Sequence, residues 1–249
     1  MGSNIDGFQN ELDLIEYINS KNVYDSYNEN IQKFLNFIFD FDLSGENIKC
    51  YKEKGQQKPD LSITCKGIKK FISVKKGSGN SVHQESFNDF INFLNGISVS
   101  ESTIEGIKLY HYGDGTIDDT GKIRFSGNEC SSIYSSEIKT INAELNKSNI
   151  LEIILDRILF LGNFNGGNLT DYVYYGTVYN GIWASREELL EYFLTNQFTS
   201  NTIHFASLTY QVWGRNHNFT AKNPDRRYVM QVKWSQIVSD ICKIRKEKY

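Results

Sequence analysis

Apolar residues along the first forty positions recur at helical spacing. Phe8, Leu12, Ile15 and Ile18 predict a helix over 7–20, and Ile31, Phe34, Leu35, Ile38 and Phe39 a second over about 27–41. The period then drops to two. A strand is expected over 48–53, and two short apolar runs, Leu61 to Cys65 and Phe71 to Val74, flank Lys66-Gly67-Ile68-Lys69 as a β-hairpin. With Gly67-Ile68 as a two-residue loop, Asp60 stands opposite Lys75 and Ser62 opposite Ser73. Alternation assigns Leu61, Ile63, Cys65, Ile72 and Val74 to a core face. Asp60, Ser62, Thr64, Phe71, Ser73 and Lys75 fall on the other.

A Gly/Ser/Asn loop follows, and Ser81 with Gln84 reads as a capping box opening a helix that carries Phe87, Phe90, Ile91, Phe93 and Leu94 and ends at Gly96. Glu85 then lies in its first turn. Ile107–Tyr112 and Lys122–Phe125 read as strands. Between them, 113–121 is rich in carboxylates but lacks the full calcium-loop spacing, and reads as a solvated turn. A helical stretch over about 135–161 is interrupted near Asn146-Lys-Ser148, and its strongly apolar second half predicts burial. Strands are expected in 171–176 and 178–183, and Ser185-Arg-Glu-Glu188 caps a helix over 187–196. The last third has the form of a long hairpin, 203–213 and 226–234, before a basic helix. Strands and helices interleave, so the fold class is α/β with a mixed sheet flanked by helices.

The 249 residues suffice for one large domain, or for a core over 1–125 with 126–249 completing the fold. With 27 basic and 30 acidic residues the net charge is −3, so no whole-chain field favours polyanions, although a local cleft remains open to them. The four cysteines are dispersed and no Cys/His cluster is present, which argues against zinc fingers and disulfide scaffolds and for a reducing cytoplasm. No run of 18 apolar residues occurs, so no membrane partner is expected.

Three residues carry candidate chemistry. Asp60 and Lys75 bring a carboxylate and an ammonium to the open end of the hairpin, on its polar face. Glu11 falls inside the apolar arc of the first helix, where a carboxylate is costly unless paired or metal-bound; a partly solvated glutamate at the stripe's edge is the alternative. The hairpin tip Gly214-Arg-Asn-His-Asn-Phe-Thr-Ala-Lys-Asn-Pro-Asp-Arg-Arg227 is the best basic patch, although an ordinary solvated tip has the same composition. Arginine and asparagine are the side chains that pair bidentately with guanine and adenine edges.

Pro59-Asp60 followed by Ser73-Val74-Lys75 resembles the PD-(D/E)xK nuclease superfamily, with its restriction-endonuclease-like fold. The departure is Ser73, where the family usually has Asp or Glu. A family variant has Ser-x-Lys on the strand and a glutamate migrated to the following helix, and Glu85 is the candidate for that acid; an exposed glutamate complementing the helix dipole is the alternative. The resemblance implies a core built around the catalytic hairpin and a C-terminal β-rich recognition lobe. It implies a type II site-specific deoxyribonuclease that uses Mg²⁺, with Mn²⁺ able to substitute. Asp60, Glu85 and Glu11 would be metal ligands, with Lys75 acting on the attacking water and Ser73 hydrogen-bonding within the site. Double-stranded DNA would meet Lys76, Ser78, Asn80, His83, Arg215, Asn216, His217, Lys222, Arg226 and Arg227, though a lone histidine such as His83 is more often structural. Symmetric cleavage implies a homodimer, and the system implies a cognate DNA methyltransferase. Two other readings remain: a repair or phage-defence nuclease on branched DNA or RNA, and an inactive relative that only binds.

Overall fold

In a computed structural model, residues 4–248 are described except for Gln56, Gly79, 164–165 and 216–223. The described strands form two sheets. The chain divides into two packing units, each assembled from separate stretches: 1–80 with 159–192 and 236–249, and 81–158 with 193–235. Neither unit ends at residue 125, so the division follows tertiary packing rather than chain order.

The first unit begins with α1 (Asn4–Lys21) and α2 (Glu29–Ile38), the latter capped by Asn28, whose side chain accepts from the Ile31 N–H. Its sheet has the order β1 (Ile48–Lys52), β2 (Leu61–Cys65), β3 (Ile68–Lys75), β5 (Tyr172–Thr177), β6 (Asn180–Ser185). β3 and β5 run parallel and the other neighbours are antiparallel. Leu14, Ile18, Ile31, Phe34, Leu35, Ile48, Ile63, Ile72, Val74 and Tyr174 share one core. The buried stripe of α1 is rotated from the expected one: Leu14 is buried, whereas Phe8 is 53% exposed beneath the Lys52 ammonium. Ser185 and Glu188 form the expected capping box of α8 (Arg186–Thr195). The basic helix α9 (Ile237–Lys248) completes the unit, with Arg245 ion-paired to Glu188.

The hairpin turn is Lys66-Gly67, not Gly67-Ile68. Both residues have positive φ (48° and 79°), which a two-residue type I′ loop requires. Leu61 therefore pairs with Ile72 and Cys65 with Ile68, two residues from the expected register. A two-residue shift leaves every side chain on its expected face, because the pleat has period two.

The second unit holds the sheet β4 (Ser81–Ser86), β9 (Val229–Lys233), β8 (Leu208–Val212), β7 (His204–Phe205), in that order and antiparallel throughout. Around it are α3 (Phe87–Gly96), α4 (Glu101–Tyr112), α5 (Gly127–Ile133), α6 (Ser135–Leu145) and α7 (Ser148–Leu155). β8 and β9 form a hairpin pair as expected for the last third, but the expected first arm, 203–213, is itself folded back by a turn at Ala206-Ser207 into β7 and β8; the helical stretch breaks at Asn146-Lys147 as expected. Three expectations are corrected. Residues 81–86 are a strand paired to β9, and the helix starts one cap later, at Ser86, whose hydroxyl accepts from the Asp89 N–H at 3.1 Å. Both serines offer a local cap; pairing with β9 decides between them. Residues 107–112 belong to α4, which Ser100 caps and Gly113 ends in the left-handed conformation at φ 62°. Its buried residues, Thr103, Ile104, Ile107, Tyr110 and His111, repeat at helical spacing. Finally, 122–125 contains no strand. The loop before it is organised by two aspartates: Asp114 accepts from the Thr116 and Gly121 N–H groups, and Asp119 from Arg124, Arg227 and the Tyr228 hydroxyl.

Asparagine side chains bond to one edge strand of each sheet. Asn19 of α1 donates to the Cys50 carbonyl and accepts from the Cys50 N–H, at 2.8 and 2.9 Å, on the edge strand β1. Asn142 of α6 bonds Thr202 O and His204 N, and Asn146, at the C-cap of α6, bonds His204 O and Ala206 N, continuing the ladder of edge strand β7. No described helix is long and apolar enough to cross a membrane.

Candidate active site

The tight turn at Lys66-Gly67 sends β3 back along β2 and brings Ser73 and Lys75 to Asp60 at the start of β2. Three donors converge on one oxygen, Asp60 Oδ2: the Val74 N–H at 2.7 Å, the Ser73 hydroxyl at 3.0 Å and the Lys75 ammonium at 3.0 Å. Among the described residues none donates to Oδ1. Ser73 is buried, and Lys75 and Asp60 keep 20% and 22% of their side-chain surface exposed, enough to be reached by a ligand. Burial by itself would raise the Asp60 pKa; the Lys75 charge and hydrogen bond, with the Val74 and Ser73 bonds, outweigh it and hold the carboxyl below its ordinary range. Lys75 also donates to Val74 O at 3.1 Å, which ties its ammonium close to the strand.

Glu11 joins this group. It is half-buried on α1 and ion-paired to Lys52 at the end of β1. Its pKa is raised by burial and by the nearby Asp60 charge, against the opposing pull of Lys52 and Lys75. Two carboxylates and a lysine thus share one electrostatic neighbourhood.

Glu85 is placed differently from expectation. It is on β4, not on a helix, and belongs to the other packing unit from Asp60. Its side chain is fully buried, and Arg157 meets both its oxygens, Nε to Oε1 at 3.0 Å and Nη2 to Oε2 at 2.5 Å, while His83 Nε2 lies 2.9 Å from Oε1. Burial would raise its pKa, but His83 and Arg157 prevail and lower it. The apolar stretch around Arg157 gave no sign in the sequence of which carboxylate it meets. Among the described residues no group of three or more His, Cys, Asp or Glu side chains is arranged to hold a metal. Asp60 and Glu11 are two carboxylates only; a magnesium ion takes one or two carboxylates and fills its octahedron with water and phosphate oxygens.

The expected DNA-contacting residues separate into exposed and internal ones. Lys76 and Ser78 are exposed on the loop after β3. Lys76 borders a cavity of about 400 Å³ together with Asp13, Glu16, Tyr17 and Tyr179. Asn80 and His83 are buried. Arg226 is exposed, its guanidinium 4.5 Å from the Trp213 ring centroid. Arg227 is 2% exposed and ion-paired to Asp119, and Arg215 is half-buried over the Tyr110 ring with Nη1 at 3.0 Å from Cys130 Sγ. Asn216, His217 and Lys222 lie outside the described residues.

No family model matches the chain, and no curated protein matches it. Among solved structures, the restriction endonuclease MspI in complex with its cognate DNA aligns over 92% of this chain and 91% of that chain, with a TM-score of 0.59 and 12% sequence identity. At that identity the likeness concerns the fold, and the fold of this chain is restriction-endonuclease-like: a mixed α/β architecture of two sheets flanked by helices, with Asp60 and Lys75 on a hairpin of its larger sheet.

Proposed function

We propose that this chain is a metal-dependent endonuclease that hydrolyses phosphodiester bonds in double-stranded DNA, and within that class a sequence-specific type II restriction enzyme. The observation that carries the reading is the convergence of Ser73, Val74 and Lys75 on a single oxygen of Asp60. That arrangement keeps Asp60 ionised with its second oxygen available, beside an ammonium held within 3.0 Å. The likeness to a restriction endonuclease with bound DNA supports the same reading.

Asp60 and Glu11 are the residues that would hold a Mg²⁺ ion, which supplies positive charge to the phosphate and lowers the pKa of bound water. Lys75 orients the attacking water and offsets the negative charge that develops on the phosphate oxygens. Ser73 takes the place of an acid and donates to Asp60 instead of adding a second negative charge. Glu85, neutralised by Arg157, is assigned a structural part. Cutting both strands of a duplex site calls for two such centres related by a two-fold axis, hence a homodimer, and protection of host DNA calls for a separate methyltransferase.

The test is incubation of the purified protein with unmethylated phage-genome DNA, with and without Mg²⁺, resolved on a gel. Discrete Mg²⁺-dependent fragments that Asp60→Ala abolishes are the expected result. A smear would replace sequence specificity by non-specific or structure-specific cleavage, and intact DNA across divalent metals and several genomes would overturn the nuclease reading.

A further inference from the structure

We infer that the end of β5, Tyr175-Gly176, is a two-point clamp that positions the groups of the nuclease site, with Tyr175 acting on the segment that carries Lys75 and Asn10 on the helix that carries Glu11. The inference rests on the reading proposed above and adds residues that the hairpin motif does not contain.

The first point follows from register. β3 and β5 are parallel neighbours, and Lys75 pairs with Tyr175. Partners in register project to the same face of a sheet, so the tyrosine stands beside the lysine. Its hydroxyl donates to Gly77 O at 3.2 Å. Gly77 is in the left-handed region at φ 77°, two residues beyond Lys75. The bond therefore fixes the place where the chain leaves the catalytic strand.

The second point is one residue further on. Gly176 O accepts from Asn10 Nδ2 at 2.8 Å, and Asn10 is 2% exposed and directly precedes Glu11. α1 is thereby tied to a strand 166 residues away in the chain. Gly176 has φ 130°, and a Cβ there would sit 2.2 Å from Asn180 O, so the backbone at the clamp accommodates glycine alone. Glu11 and Asp60 already interact through their charges, and that interaction depends on how α1 is held relative to the hairpin. Each clamp contact is a single neutral hydrogen bond, a small part of what holds the fold. Placement is a different matter, since displacing a reacting group by 1 Å can lower a rate about 100-fold.

The experiment is single-turnover and steady-state cleavage by full-length Tyr175→Phe and Asn10→Ala, with thermal unfolding and DNA binding in EDTA measured alongside. The expected result is a kcat lower by about 10- to 100-fold, with KM, DNA binding and Tm close to wild type. Cleavage within twofold of wild type in both variants would overturn the clamp, as would rate losses that merely follow losses of Tm. Wild-type protein that cuts nothing would overturn the nuclease reading and the clamp together, whereas active wild type with equally active variants overturns the clamp alone.

Discussion

The hydroxyl of Ser73 donates a hydrogen bond to Asp60 Oδ2 at 3.0 Å, on a serine that is 2% exposed. A serine where the resembled family has an acid therefore supports ionised Asp60 instead of competing with it. A hydrogen bond donated to a charged group favours the charged form, so its loss disfavours ionised Asp60. In Ser73→Ala the Asp60 pKa moves up from its depressed value. The acid limb of the cleavage profile is expected to move to higher pH, which a pH–rate series measures directly.

Ser73→Asp tests the same contact from the opposite side. It places a second carboxylate against Asp60, and like charges at that distance raise one of the two pKa values. Without divalent cation the variant is expected to melt below wild type. With Mg²⁺ it should recover, and by more than wild type gains, because a cation then bridges two carboxylates. A thermal-shift titration with Mg²⁺ that gives the same increment for both proteins would refute this.

Arg157 is the partner of a fully buried carboxylate, Glu85. Removing one member of a buried ion pair leaves an uncompensated charge and costs about 3–5 kcal/mol, whereas replacing both by apolar residues is often neutral. Arg157→Ala is expected to lose stability on that scale in chemical denaturation, and Glu85→Leu combined with Arg157→Met to recover most of it. Equal destabilisation in the single and double variants would show that the pair is not the source.

His111 gives the fold a defined acid sensitivity. It is buried, stacked 3.6 Å from the Phe87 ring, with Nε2 donating to Arg227 O at 2.7 Å and Nδ1 accepting from the Tyr210 hydroxyl at 2.5 Å. The carbonyl can only accept, so Nε2 carries a proton; the lowered pKa leaves Nδ1 unprotonated, free to accept from the Tyr210 hydroxyl. Burial, with the Arg215 and Arg227 charges also acting against protonation, brings its pKa down from 6.5 to about 3, despite the bond to Arg227 O. Between these values the unfolded chain binds a proton that the folded one refuses, so stability is full above pH 6.5 and declines as the pH falls toward 3. His111→Gln is expected to flatten that decline in denaturation curves collected from pH 7 to 4.

Asn142 and Asn146 substitute for a neighbouring strand along β7. Leaving a buried backbone donor or acceptor unsatisfied costs about 1–3 kcal/mol. Asn146→Ala removes partners from both His204 O and Ala206 N and is expected to destabilise by roughly 2–4 kcal/mol, with more for the double variant. Hydrogen exchange at Ala206 should rise accordingly, and unchanged protection there would argue against the ladder.

Features that depend only on short-range alternation could be read from the residues alone. The two faces of the β2–β3 hairpin, the meeting of Asp60 with Lys75 and the capping box at Ser185 were all legible, since each needs only a period, a turn or a four-residue cap. The faces survived even the error in the turn, because a two-residue slip preserves the pleat. Tertiary structure decided everything that depends on a distant partner. Ser81–Ser86 carries an acceptable helix cap and becomes a strand because β9 offers it a ladder. Ile107–Tyr112 has the residues of a strand but lies within a helix whose limits are set at Ser100 and Gly113. Glu85 waited on Arg157, 72 residues away, to be recognised as an internal ion pair. Asn10 likewise takes its meaning from Gly176. Local patterns record which face of an element is buried; they do not record which element covers it, and a buried polar group acquires its role only from the partner that satisfies it.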